Sequence, residues 1–291
     1  MLSKDLIKTI QKFHFRTRHL ANEMFAGQYT SAFKGRGMEF AEVREYMPGD
    51  DIRTIDWNVS ARFGRPFVKM FHEERELTVI LLIDLSSSNM FATKKRFKRD
   101  LIAEVAGTLA FLAIKTNDKV GALFFTSSVD KFIPPKKGSA HVWRLIKEIF
   151  TPGEYAPGTD IESALTYLNR TVKRNSIVFL LSDFIDSGYE KALRITSRKH
   201  DLTMIRVEDD AEKSLPDIGP VTFTDPESGE ICHVNTSNRR VRRLWTEESQ
   251  KKEREIHRIC SSCGVSLIEL NTNKSAIKPL MRYFLERGRR R

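Results

Sequence analysis

Residues 77–84 form a nearly unbroken apolar and β-branched run that closes on an acid, Asp84. Residues 176–183 repeat the pattern and close on Asp183. A strand carries so continuous a pattern when both of its faces are covered, the condition inside a mostly parallel sheet. Further strands are predicted at 119–126, 202–207 and 265–270, with 129–133 as the hairpin mate of 119–126. Helices are predicted between them at 95–117, 141–150, 160–172, 190–199, 238–262 and 276–287. Strand and helix in alternation predict an α/β fold with a doubly wound, mostly parallel sheet of Rossmann type.

Two regions break the rhythm. Segments 221–224 and 230–235 flank turn residues from Asp225 to Gly229, the signature of a β-hairpin inserted at about 208–237. At the other end, apolar Leu2, Leu6, Ile10, Phe13, Leu20 and Met24 predict a helix over 2–25, with Gly27 as its stop. Residues 27–66 are rich in turn signals such as Gly35-Arg36-Gly37, Pro48-Gly49-Asp50 and Gly64-Arg65-Pro66. The expected organisation is a lead segment over 1–76, an N-terminal helix followed by a β-rich stretch of short, mixed strands and loops, and an α/β module over 77–291.

Composition narrows the class. Of 291 residues 40% are hydrophobic and 30% charged, which excludes a disordered chain. The stretch most like a membrane span, 101–114, is 14 residues long and contains Glu104; a spanning helix needs about 20 apolar residues. Lys4, Lys8 and Lys12 precede no apolar core or cleavage site, so no secretory signal is expected. Three cysteines make no disulfide framework and fit a reducing compartment. The expectation is a soluble, cytoplasmic protein. The net charge of +11 is unevenly spread, with +7 carried by residues 79–207, which favours acidic partners.

In doubly wound sheets ligands bind where strands end, so the residues just after each strand matter most. Asp84-x-Ser86-x-Ser88 puts a carboxylate and two hydroxyls on one turn. Asp183 closes the second strand, and Thr159 stands in the loop Pro157-Gly158-Thr159-Asp160 before a helix. Hard oxygen donors of this kind suit magnesium, which keeps several waters. Each residue also has a plainer role open to it. Ser86 or Ser88 would cap a following helix, Thr159 with Glu162 has capping-box spacing, and Asp183 would close a turn. A hydroxyl has two lone pairs, so capping and metal binding are compatible.

Asp84-x-Ser86-x-Ser88, Thr159 and Asp183 together resemble the metal-ion-dependent adhesion site (MIDAS) of von Willebrand factor A-like domains. The resemblance implies that these five ring one divalent cation, Mg2+ or Mn2+, and that an acidic residue of a partner completes its coordination. Upstream, Glu39-Phe40-x-Glu42-x-Arg44-x-Tyr46-x-Pro48-Gly49-Asp50-Asp51-x-Arg53-x-Ile55-Asp56-Trp57, then Ser60-Ala61-Arg62, Lys69 and Glu73-Glu74-Arg75, resembles domain-of-unknown-function family 58 (DUF58). That likeness covers about 27–207. Many relatives carry transmembrane helices near the N-terminus, and this chain resembles the short soluble type. The family resemblance implies a non-enzymatic adaptor or co-chaperone working with a MoxR-type AAA+ ATPase on an acidic client protein. By its residues alone, 39–62 reads as an ion-paired loop packed by Tyr46 and Trp57, or as a docking surface for the ATPase.

Other chemistries are weaker. Cys260-x-x-Cys263 closes a predicted helix instead of opening one, the wrong polarity for a redox motif. Cys232, His233 and His257 add no usual zinc spacing. A metal-dependent hydrolase would need a second carboxylate where Ser86 stands, and no Walker loop, H-E-x-x-H or nucleophile elbow occurs. Nucleic-acid binding is the remaining alternative, resting on Lys94-Lys95-Arg96 with Lys98-Arg99, on Lys136-Lys137, and on Arg239-Arg240 with Arg242-Arg243. No recognised nucleic-acid motif accompanies these clusters.

Overall fold

The computed structural model describes Tyr29, Ala32 and residues 39–72, 76–91, 96–151, 158–225 and 229–289, with no side chain described at 39–41 or 70–72. The helix expected over 2–25 and the turn at Gly35-Arg36-Gly37 lie outside these residues. Chain contacts divide the protein into one unit over Phe33–Leu77 and a second holding Thr78–Arg291. Tyr29 and Ala32 belong to the second, Tyr29 edge-on against Phe284.

In the smaller unit, β1 (Glu39–Glu45) leads through a short helical turn to α1 (Trp57–Phe63) and then β2 (Phe67–His72). β1 and β2 pair antiparallel. Asp56 caps α1 by accepting from the Asn58 and Val59 N–H groups. Gly64, left-handed at φ 68°, ends it. Arg44 and Asp50 make the expected ion pair, a bidentate one at 2.8 and 2.7 Å, and Arg53 pairs with Asp51. Trp57 is 70% exposed.

The larger unit runs β3 (Thr78–Asp84), α2 (Lys98–Lys115), β4 (Lys119–Phe125), β5 (Val129–Lys136), α3 (Ser139–Phe150), α4 (Ile161–Thr171), β6 (Ile177–Ser182), α5 (Glu190–Lys199) and β7 (Asp201–Glu208). It continues with the one-turn α6 (Asp210–Lys213), the hairpin β8 (Pro220–Thr224) and β9 (Ile231–Asn235), α7 (Arg239–Cys263), β10 (Ser266–Asn271) and α8 (Ile277–Arg289). Six strands form one sheet in the order β10-β7-β6-β3-β4-β5. All neighbours are parallel except β5, which turns back antiparallel on β4. The doubly wound, mostly parallel α/β sheet and the inserted hairpin are thus as expected. The short α6 was not foreseen.

Burial explains the strand sequences. Every residue of β6 is buried, as is every residue of β3 after Thr78. Ile80, Leu82, Val178 and Leu180 face one core with Ile161, Leu165 and Leu168 of α4, Leu193 of α5, and Ile256 and Ile259 of α7. The intervening Val79, Leu81 and Ile83 are equally buried, and α2, apolar from Leu101 to Ala113 apart from Glu104, Gly107 and Thr108, packs against the sheet. β5 tolerates Pro134 and Pro135 because it is an edge strand.

Strand order locates the site. From β3 the chain winds to one side through β4 and β5, then crosses over and winds to the other through β6, β7 and β10. The topological switch point therefore lies at the carboxyl ends of β3 and β6. Asp84 and Asp183 stand there.

Candidate functional site

Asp84 ends β3 and is fully buried. Its Oδ1 accepts the Ser86 backbone N–H at 2.8 Å. Its Oδ2 accepts the Ser182 hydroxyl at 2.6 Å. Ser182 in turn accepts the Phe184 N–H at 2.9 Å, so this serine ties the end of β6 to the acid of β3. Burial first, and then the neighbouring Asp183 charge, push the Asp84 carboxyl up to about 7, against the Ser182 and Ser86 hydrogen bonds that favour its ionised form.

The two hydroxyls lie beside this acid. Ser86 Oγ and Ser88 Oγ are 3.0 Å apart and both are buried. Asn89 pins the turn by donating to Ser86 Oγ and to the Asp84 carbonyl, each at 3.2 Å. Ser86 occupies the cap position of the helical turn Ser87–Met90, yet its side chain makes no capping bond. The cap role open to Ser86 is therefore not used.

Thr159 is half-buried and precedes α4. Asp160, not Thr159, caps that helix, accepting the Ser163 N–H at 2.7 Å. Two anchors place the loop. The Asp160 N–H donates to the Thr126 carbonyl just after β4, and the Ile161 N–H donates to Asp186, three residues beyond Asp183, at 2.8 Å. Both anchors lie past the carboxyl ends of strands flanking β3. The structure thus joins Asp84, Ser86 and Ser88 by direct hydrogen bonds or a single turn, sets Asp183 one residue from Ser182, and brings the Thr159 loop to the same end of the sheet. Phe184, the residue after Asp183, is held at φ 59°, a left-handed backbone that an aromatic residue rarely adopts.

Asp183 has a partner that sequence reasoning did not assign. Lys98, the first residue of α2, is fully buried, and its Nζ donates to Asp183 Oδ2 at 2.8 Å and to Glu212 Oε1 at 2.5 Å. Burial opposes the ammonium charge, but Asp183 and then Glu212 outweigh it and lift the Lys98 pKa. Glu212 also closes a capping box on α6, accepting the Asp209 N–H at 2.8 Å. The run from Lys94 to Arg99 reads as a solvated basic cluster, yet Lys98 is internal and Arg96 pairs with buried Glu104 at 2.9 Å. Ser182 was missed too: only the acid after it carried a signal.

The donors fit a hard divalent cation. All are oxygens, and of the two buried carboxylates Asp183 alone bonds the internal lysine, which it shares with Glu212. Asp84 is left without a counter-charge, as its raised pKa reflects. A dication bound among Asp84, Ser86, Ser88, Thr159 and Asp183 would supply it.

Cys260 and Cys263 are buried, and burial pushes the Cys260 thiol up to about 11, away from the reactive thiolate. Glu253, His257 and Glu269 converge, but Arg206 and Lys213 stand within 3.6 and 4.0 Å of the two carboxylates and form an ion network with them. Of the arginines at the start of α7, Arg242 pairs with Asp217 and Arg243 with Glu247. Among the described residues, no helix is long and apolar enough to cross a membrane.

The family model described as "Protein of unknown function DUF58" matches residues 42–255. An uncharacterized protein of Mycobacterium tuberculosis is 29% identical over 266 residues, covering 90% of this chain and 84% of that protein. Among solved structures, an aerotolerance-related membrane protein from Bacteroides fragilis is 15% identical, with a TM-score of 0.48 over 74% of this chain and 100% of that one. Proximal thread matrix protein 1 from mussel byssus, with a zinc-occupied MIDAS motif, is 15% identical, with a TM-score of 0.36 over 46% of this chain and 38% of that one.

Proposed function

This chain belongs to the DUF58 family, and from that premise we propose that it is a metal-dependent protein-interaction module and not an enzyme. One observation carries the reading: a fully buried, uncompensated carboxylate, Asp84, stands beside two buried hydroxyls at the switch point of the sheet. Asp84, Ser86, Ser88, Thr159 and Asp183 would hold Mg2+ or Mn2+, some through water. The bound ion supplies a Lewis-acidic position that takes an anionic oxygen. The carboxylate of a partner Asp or Glu suits that position, and the positive charge of the chain favours the approach of an acidic client.

The system that uses the module is proposed on the same footing: a MoxR-type AAA+ ATPase acts with it on the client. The metal reading is tested by calorimetry with Mg2+ and Mn2+. Wild type should bind one ion, and Asp84→Ala none over the same range. Equal binding by both proteins would remove the site. For the ATPase, co-purification or a change in ATP turnover on mixing is expected, and the absence of both would separate the two proteins.

A further inference from the structure

We propose that Lys98 is the resident counter-cation of the site and sets how tightly it holds a divalent ion and how strongly it then seeks an anion. This rests on the metal-site reading above. Lys98 is fully buried, and its ammonium bridges one acid of the site, Asp183, to one acid outside it, Glu212. A buried ion pair is a poor source of stability compared with apolar packing. Its position is more informative: the lysine lies against one of the five proposed ligands.

Charge decides what it does. Asp84 and Asp183 bring two negative charges to the strand junction, and Lys98 offsets one of them. Among Asp84, Asp183 and Lys98 a divalent ion then leaves a net positive charge, which the part-exposed Glu212 offsets only in part. That excess is met when a carboxylate from a partner arrives. Without Lys98 the two acids and the ion would neutralise one another, and the loaded site would have little left to attract an anion. Lys98 therefore weakens the ion and strengthens the partner. Glu212 moderates both effects by taking part of the ammonium's hydrogen bonding away from Asp183. It also links the site to α6, whose Ala211 carbonyl accepts the indole N–H of Trp245 on α7 at 3.0 Å.

The test measures Mn2+ affinity by calorimetry at one pH in wild type, Asp84→Ala, Lys98→Met, the charge-balanced double variant Lys98→Met with Glu212→Gln, and Glu212→Gln alone. Lys98→Met should bind Mn2+ about tenfold more tightly or better, since a unit positive charge beside a dication is removed from a buried site; the double variant, which loses the Glu212 charge as well, should still bind it more tightly than wild type but by a smaller factor. Their loaded forms should bind acetate several-fold more weakly than loaded wild type. A lysine that only held the fold together would give the opposite sign, looser metal binding on its removal. Glu212→Gln, which keeps Lys98 on Asp183, should bind Mn2+ more weakly. Unchanged or weaker Mn2+ binding by whichever lysine variant folds overturns the proposal. Should neither fold, unchanged affinity in Glu212→Gln overturns it. Absence of Mn2+ binding by wild type, or equal binding by Asp84→Ala, instead brings down the metal-site reading, and this inference with it.

Discussion

At the scale of single residues, Asp84 is where burial and function pull against each other. Its carboxyl sits at about 7 in the folded chain against an ordinary 3.8, because burial and Asp183 disfavour its charge. The folded form therefore holds a proton that the unfolded form gives up. This group's contribution to stability is complete below about pH 4 and is lost as pH rises through 7. The difference is worth on the order of 4 kcal/mol at pH 8. Metal-free protein should melt lower at pH 8 than at pH 5.5, Mg2+ should restore the difference at pH 8, and Asp84→Asn should flatten the dependence. Thermal melts at the two pH values with Mg2+ or EDTA check all three. Ion binding should also release protons near pH 7, seen as a buffer-dependent heat. A melting temperature indifferent to both pH and Mg2+ would mean that Asp84 is not the uncompensated acid of the site. The placement of Asp84, Ser86, Ser88 and Asp183 at strand ends and of Thr159 just before a helix was legible in the sequence, because each borders an element with a strong apolar signal. Lys98 was not, since a lysine between Lys95 and Arg99 reads as solvated until Asp183 and Glu212, 85 and 114 residues away, are folded against it.

At the scale of elements, the strands were legible where burial is two-sided. Residues 79–83 and 177–181 are apolar throughout because helices cover both faces. α6 was not legible: a single turn, Asp210–Lys213, has too few residues to show a period, and its capping box is the only local mark of it. The lead segment was legible as turns, ion pairs and short strands, but neither the pairing of those strands nor the capped helix between them was, because the strands are short and mixed in polarity. The β4–β5 edge adds a constraint that periodicity does not reveal. A Cβ on Gly121 would lie 2.8 Å from the Ile133 carbonyl oxygen and 2.9 Å from the Pro135 nitrogen, both backbone atoms of the facing strand. Neither can swing aside as a side-chain tip would. Gly121→Ala should therefore destabilise the protein by about 1–3 kcal/mol, read as a lower denaturant midpoint with little change in slope. A midpoint unchanged from wild type would show that β5 is free to shift at this edge.

At the scale of the whole molecule, the net charge of +11 offers a rival explanation for any acidic partner. Nonspecific attraction needs free, clustered cations, and several of the basic residues that form clusters in sequence are engaged: Lys98 is internal, Arg96 holds Glu104, Arg242 holds Asp217 and Arg243 holds Glu247. The two explanations differ in what they depend on. Binding driven by overall charge is indifferent to EDTA and falls steeply with salt, for polyanionic nucleic acid most of all. Binding through a cation held by Asp84, Ser86 and Ser88 requires the ion and is screened less, because the contact is buried and directional. An acidic peptide should therefore be retained by the protein in Mg2+ at near-physiological salt and released by EDTA. Asp84→Ala, which makes the chain still more positive, should fail to retain it under either condition. A duplex DNA probe should show no metal-dependent shift in the same buffer. Retention of the peptide by Asp84→Ala in EDTA, lost only as salt is raised, would return the explanation to bulk charge and leave the strand-end acids a structural role alone.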